Sequence, residues 1–446
     1  MPNLSDLTEA LLVEARKAGA QSADALAVNG YSQSIDIRRG ALEQAERSEG
    51  VEVGLRVMLG GRQACVSASD ISPATLARLA ERAVAMAREA PEDPTVGLAD
   101  PDQLARNGDL AGLDLCDISP DPQPHALEAA ARQVEAAALA LSGITQVEAS
   151  AGWSLRSVHL ATSGGFSGGY ARSSHSLSAV AFTGSGTNME RDWAGESRIH
   201  ASDMPPASEI GSLAATRTLE RAGSVKPPTG AYPVLFDERV ASSLIGHLLS
   251  AINGASIARG ASWALDLLGK QVLPPSMSLI EDPHRPRISG SRRFDGEGLP
   301  TARRMIVQDG VLTGWTLDLG TARKLGMRST ANASRGTSSP PSPSTSNVDL
   351  SPGSVSRADL LRDMGTGLLV TSMIGATINP TTGDYSRGAA GFWVENGELK
   401  YPVNECTIAG NLRDMLQRMT AANDAKPHLS TRVPSLLVEG LTLAGA

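Results

Sequence analysis

Metal-assisted hydrolysis needs nitrogen, sulfur or carboxylate ligands at helical or hairpin spacing, with an acid/base carboxylate beside the open coordination position. The chain has seven histidines, and none forms a His-Glu-x-x-His or related pair. His125, His159, His175 and His200 are spread through the first half, and His247, His284 and His428 through the second. Only His247 lies on a segment of helical periodicity, Leu244 to Ser250, where a lone imidazole reads first as a packed or capping side chain. A serine nucleophile needs an elbow, and Gly184-Ser185-Gly186 lacks the Gly-x-Ser-x-Gly frame. Gly164-Gly165-Phe166-Ser167-Gly168-Gly169 has neither a phosphate-loop lysine nor a dinucleotide frame, so it reads as turns between strands. Cys65, Cys116 and Cys406 are far apart, with no Cys-x-x-Cys, and Cys406 sits in the apolar alternating run Val403 to Ile408 that predicts a buried thiol. No self-sufficient constellation for an activated water or nucleophile results.

The elements around these residues suggest an α+β fold class. Leu4, Leu7, Leu11, Leu12 and Ala15 recur at helical spacing over Leu4 to Lys17, with Asn3 or Ser5 placed to cap and Gly19 just beyond. Strands are expected over Asp24 to Arg38 and Val51 to Met58, the second closing on Gly60-Gly61. Pro73 to Ala90 returns to helical spacing, with Pro73 suited to a first helical position. Pro91 to Pro124 reads as an exposed excursion, Ala126 to Leu141 as a helix, and Thr145 to Ser185 as several strands turning at the glycines. A helix from about Pro206 to Ala222 then leads into the Pro-rich Ser224 to Gly230, the expected boundary between domains 1–223 and 231–446. The first is expected to lay helices on a mainly antiparallel sheet.

Beyond the boundary, Ala231 to Phe236 reads as a strand and Val240 to Asn253 as an apolar helix. After Leu279 the chain is mostly short alternating segments, including Arg304 to Trp315, Gly367 to Ile378, Gly391 to Tyr401 and Ser435 to Leu443, which predict a β-rich, barrel-like domain. Inside it, Ser334 to Ser346 is almost wholly Ser, Thr, Pro, Gly and Arg, a long loop of the kind that is often functional.

At 446 residues the chain exceeds the roughly 250–300 at which single cores stop growing, which fits two domains. Aromatics are only 3% and the formal net charge is −8, which argues against base-stacking surfaces, phosphate backbones and anionic lipid as partners. Asp6, Glu9 and Glu14 precede any long apolar stretch, unlike a signal peptide, and no run reaches the ~20 apolar residues of a membrane helix. Scattered thiols agree with a cytoplasmic location.

The second domain carries an ordered set of local patterns. They are Phe294-Asp295-Gly296-Glu297-Gly298-Leu299-Pro300-Thr301, Asp309-Gly310-Val311-Leu312-Thr313-Gly314 and Ala322-Arg323-Lys324-Leu325-Gly326, then Asn379 to Ala389, Phe392 to Gly397, Tyr401-Pro402-Val403 and Thr407 to Asn411. In this order the set resembles the TldD/TldE (PmbA) family of two-subunit zinc peptidases. In the TldD subunit, zinc is held by two histidines of a His-Glu-x-x-x-His helix and a cysteine near the C-terminus, the glutamate acting as general base. Counted back without gaps from Gly269-Lys270-Gln271-Val272, that motif falls on Ile245-Gly246-His247-Leu248-Leu249-Ser250, so Ile245 and Ser250 stand where the ligands would be. Asn423 to Leu429 likewise lacks the family's Cys-Gly-Lys, whereas Asp384 to Trp393 is of the TldE kind.

The resemblance implies a heterodimer in which this chain, without metal or catalytic residues of its own, completes a chamber. A TldD-type subunit would bring the zinc. Substrates would be unfolded polypeptides, including modified-peptide precursors and antitoxins, held by strand addition. Chamber candidates are Arg335, Pro341, Pro343 and Asn347 of the loop region and Asp384, Tyr385, Ser386 and Arg387 of the TldE-type segment. Two other readings remain: a stand-alone homodimeric metallopeptidase or amide hydrolase with a site built from His247, His284 and Glu281 or Asp295, and a non-catalytic peptide-binding homodimer.

Overall fold

The computed structural model describes residues 3–106 and 112–445. Met1, Pro2, Ala446 and residues 107–111 of the Pro91 to Pro124 excursion lie outside the described residues. The first unit opens with helix α1 (Leu4–Lys17), capped by Asn3, whose side chain accepts the Ser5 N–H at 3.1 Å. Strands β1 (Ser22–Arg38), β2 (Ala41–Leu59) and β3 (Arg62–Ala68) follow, then helices α2 (Pro73–Glu89) and α3 (Pro124–Leu139). Strands β4 (Ile144–Thr162), β5 (Ser167–Thr183) and β6 (Glu190–Arg198) and helix α4 (Ala207–Glu220) complete it. The six strands form one antiparallel sheet in the order β3-β2-β1-β4-β5-β6.

Alternation along the strands builds two unlike faces. One is made of small apolar residues such as Ala25, Ala27, Val53, Ala149 and Ala181, packed under the helices in two cores. Helices α3 and α4 approach so closely that a Cβ on Gly211 would stand 2.1 Å from the Val134 carbonyl oxygen. The opposite face is serine-rich where β4 meets β5, with Ser150 across from Ser178 and Ser154 across from Ser174.

Three expectations are corrected here. The second strand starts at Ala41, ten residues before Val51, and pairs with β1 along that length. Residues 41–50 are exposed throughout, so no buried face imposed the alternation by which a strand is recognised. Thr145 to Ser185 is two long strands rather than several. Gly165 turns the chain with φ 101°, whereas Gly168 and Gly169 lie inside β5, where the Phe294 ring and the Val158 carbonyl occupy the space a Cβ would need. Finally, Gly391 to Tyr401 is not one strand but spans a tight turn at Asn396 (φ 54°) and Gly397 (φ 76°), between strands Asp384–Glu395 and Glu398–Asn411.

In the second unit, strand β7 (Gly230–Phe236) and helix α5 (Glu238–Ala251) lead into a closed five-stranded barrel. Strand Gly367–Ile378 pairs parallel to β7 and antiparallel to Asp384–Glu395, which pairs with Glu398–Asn411. Strand Leu436–Ala444 then pairs with Glu398–Asn411 on one side and β7 on the other, closing the ring. Leu244, Ile245 and Leu248 of α5 pack with Val234, Phe236, Val370 and Ile408 in its core. A second sheet of short strands includes Leu279–Glu281, Arg304–Gln308 and Val348–Leu350. The α+β class and the barrel-like second unit are those expected. Among the described residues no helix is long and apolar enough to cross a membrane.

Candidate functional site

The Ser/Pro loop is an ordered hairpin, Ala333–Ser334 pairing with Ser342–Pro343, and it is seated on the first sheet. Gly54 of β2 admits it, since a Cβ there would lie 2.1 Å from the Thr337 carbonyl oxygen. From the hairpin Arg335 pairs with one oxygen of Asp24 on β1, while Arg56 of β2 places Nε 2.7 Å from the other. All three side chains are at most 5% exposed. Burial pushes the Arg335 guanidinium down to about 10. It also lowers Arg56, against which Glu297 and Asp318 hold the positive charge.

The neighbouring Phe294 to Gly298 motif spends its carboxyl groups on backbone. Asp295 accepts the N–H groups of Glu297, Leu299 and Ala333, and burial raises its carboxyl. Glu297 accepts the Leu319 N–H at 2.9 Å. Burial first, and the Asp295 charge second, push Glu297 up to about 8.

Between the serine-rich sheet face and the second unit lies a cavity of about 540 Å³. Arg156, Arg172 and Ser174 line its floor, and Arg292, Phe294 and the hairpin residues Ser334 and Arg335 line the wall opposite. Of the other loop candidates, Pro343 accepts the Asn253 Nδ2–H through its carbonyl at 2.8 Å, and Pro341 borders a separate groove with Arg56 and Glu297. Asn347 is fully buried and donates from Nδ2 to the Asp282 carbonyl and Ser291 Oγ.

The second group lies elsewhere, on the barrel strand beside α5, and none of its members lines the cavity. Asp384 accepts from Thr382 Oγ1 and Asn411 Nδ2, and those bonds hold its carboxyl below the usual range. Tyr385 is 2% exposed, and burial pushes its hydroxyl up to about 12. Ser386 sits in the ladder opposite Thr377 and Ala409, and Arg387 donates from Nε to the Gly375 carbonyl at 2.7 Å. Of the eight chamber candidates, Arg335 lines the cavity and the other seven do not.

Helix α5 points Ile245 into the barrel core and leaves Ser250 exposed, its hydroxyl donating to the Gly246 carbonyl. His247 is half-buried, its ring edge-on to Tyr385 with centroids 5.8 Å apart, and its Nε2 is buried without a partner. Burial, then the Arg387 charge, lowers its pKa, so the imidazole is neutral near pH 7. His247, His284, Glu281 and Asp295 are not assembled into one ligand set. Glu281 is taken by Arg304, Asn332 and Ser346, and His284 Nε2 lies 3.1 Å from Thr301 Oγ1. Among the described residues no group of three or more His, Cys, Asp or Glu side chains could hold a metal ion.

The sequence reading missed Asp24, Arg56, Arg156, Arg172 and Arg292. The one available signal was the alternation of polar residues in β4 and β5, Ser154-x-Arg156 and Arg172-x-Ser174-x-Ser176, opposite an Ala/Val face.

Residues 229–445 match the PmbA/TldA metallopeptidase C-terminal domain, 23–87 its domain 1 and 117–222 its central domain. Metalloprotease PmbA of Escherichia coli O157:H7 is 39% identical over 417 residues, covering 92% of this chain and 90% of that protein. The chain belongs to the PmbA/TldD family. A PmbA homolog of Haemophilus influenzae is 36% identical over 435 residues, with 97% and 94% of the two chains covered. Among family-like folds, the crystal structure of a proposed modulator of DNA gyrase from Bacteroides thetaiotaomicron superposes with a TM-score of 0.92 at 28% identity, covering 99% of this chain and 98% of that one. TldE from Thermococcus kodakarensis superposes with a TM-score of 0.84 at 19% identity, covering 98% and 100%, a likeness of fold alone. The family name implies a metal, and the α5 residues do not fit zinc. A core isoleucine, an exposed serine and one solitary imidazole cannot supply the three converging donors that a catalytic zinc needs.

Proposed function

We propose that this PmbA/TldD-family chain is the zinc-less, TldE-type subunit of a two-chain zinc peptidase that acts in the cytoplasm on unfolded polypeptides and modified-peptide precursors. The observation that carries the reading is α5, which buries Ile245 in the barrel core and exposes Ser250 at the two positions where a His-Glu-x-x-x-His helix would place its ligands. Hydrolysis needs an activated water and a general base, so a TldD-type partner must bring both with the metal. This chain's own contribution is to bind and orient substrate. Its seated hairpin and polar sheet face give an extended peptide hydroxyls and guanidiniums to bond.

The test is proteolysis of a denatured protein by this chain, by a TldD-type chain and by their mixture, with and without a zinc chelator. Efficient, chelator-sensitive cleavage is expected only from the mixture, together with co-elution of the two chains and no stoichiometric zinc in this chain alone. Chelator-sensitive cleavage by this chain, after trace partner has been excluded, would overturn the proposal.

A further inference from the structure

Arg156 on β4 and Arg172 on β5 are direct cross-strand partners on the sheet face that fronts the 540 Å³ cavity. Like charges in that position destabilise a sheet, so the pairing is unfavourable while the cavity is empty. Arg292 adds a third guanidinium from the wall opposite. Among the described residues none of the three forms an ion pair with a carboxylate.

Their bonds go to neutral groups. Arg172 donates to the Ser291 carbonyl at 2.6 Å and lies 5.2 Å from the Tyr170 ring, and Arg292 donates to the carbonyls of Ala333 and Ser344. The Nε of both Arg172 and Arg292 is buried without a partner. Asp295, also on the wall, is engaged by three backbone N–H groups and raised by burial, which makes it a poor counter-ion. Burial lowers the Arg172 guanidinium, and the charges of Arg292 and Arg156 add to that.

Serines line much of the rest of the cavity, and Leu26, Val158, Leu160 and Phe294 give it one apolar end. Its volume falls within the roughly 300–1,000 Å³ of small-ligand sites. A bare inorganic anion would use the guanidiniums and leave the apolar end unfilled. A carboxylate attached to an apolar body uses both, and the guanidinium fork matches carboxylate geometry.

We propose that Arg156, Arg172 and Arg292 bind the C-terminal carboxylate of a short peptide whose last apolar side chain packs against Val158, Leu160 and Phe294. The choice of a peptide rests on the proposed peptidase reading; the arginine cluster itself does not.

Calorimetric titration of this chain alone tests it, with acetyl-Gly-Phe-Leu as the free acid, the same peptide as its C-terminal amide, and inorganic phosphate. The acid should bind about tenfold or more tightly than the amide, as expected for loss of charge-assisted bonds, and phosphate no better than the amide. Arg156→Gln should abolish the preference for the acid while raising the thermal midpoint of the ligand-free chain, because the cross-strand repulsion is gone. That rise also shows that the variant folds. Equal binding of acid and amide, binding of neither, phosphate as tight as the acid, or a preference surviving in Arg156→Gln would each overturn the proposal. Since no partner subunit or cleavage is involved, the outcome is independent of whether the two-chain peptidase reading holds.

Discussion

Asp24 holds two guanidiniums on one carboxylate that is 2% exposed, joining a β1 residue to one 311 positions away. Removing one member of a buried ion pair costs roughly 3–5 kcal/mol, because the partner's charge is left buried and unpaired. Asp24→Ala strands both Arg56 and Arg335, whereas Arg335→Ala leaves the Asp24–Arg56 pair intact. In urea unfolding, Asp24→Ala should therefore lose clearly more stability than Arg335→Ala, and equal losses would show that Arg335 adds nothing beyond Arg56. Glu297 gives a pH signature. Its pKa is raised from 4.5 to about 8 on folding, so the folded chain holds this proton more tightly than the unfolded chain across that interval. The resulting stabilisation is complete below pH 4.5 and is lost as pH rises through about 8. Thermal midpoints of Glu297→Gln measured across this range should fall less with pH than those of the parent chain. An identical slope would contradict the assignment.

At the scale of elements, the sequence disclosed what local patterning could disclose. Helix α1 was legible because it buries one stripe and burial imposes a period, the end of β1 because Ile35 and Ile37 alternate with half-buried neighbours, and β7 as a short apolar run whose Val234, Leu235 and Phe236 are buried on both faces. The first ten residues of β2 were illegible because both their faces meet solvent. The Ser/Pro hairpin was visible as a loop, but its seat was not, since that depends on the missing side chain of Gly54 in another element. Gly54→Ala tests the seat without changing a charge. It drives a methyl group into the Thr337 backbone, an overpacking that typically costs about 1–3 kcal/mol, and should loosen the hairpin. The expected readout is a lower unfolding midpoint together with faster proteolytic nicking between Ser334 and Ser346. Unchanged nicking would place the hairpin elsewhere.

For the whole molecule, the family was legible from the ordered motifs between Phe294 and Asn411, and the first of them lends Phe294, Asp295 and Gly296 to the cavity wall, but none of them marked the cavity's unpaired guanidiniums. Asp295 and Glu297, the motif's carboxyl groups, serve the backbone, and the cavity guanidiniums without a carboxylate partner come from β4, β5 and Arg292. Such a site exists only once two units meet, so no local window of sequence contains it. The barrel shows the same separation of neighbours in space from neighbours in sequence. β7 lies between Gly367–Ile378 and Leu436–Ala444, strands made long after it. During synthesis on the ribosome β7 must therefore wait with both edges unpaired, and the ring cannot close until Leu436–Ala444 has emerged. For that interval the nascent chain offers an open strand edge, a natural client for a chaperone and a template for mispairing with a neighbouring nascent chain. A stop codon ahead of that last strand would thus yield an unclosed barrel rather than a slightly shorter protein.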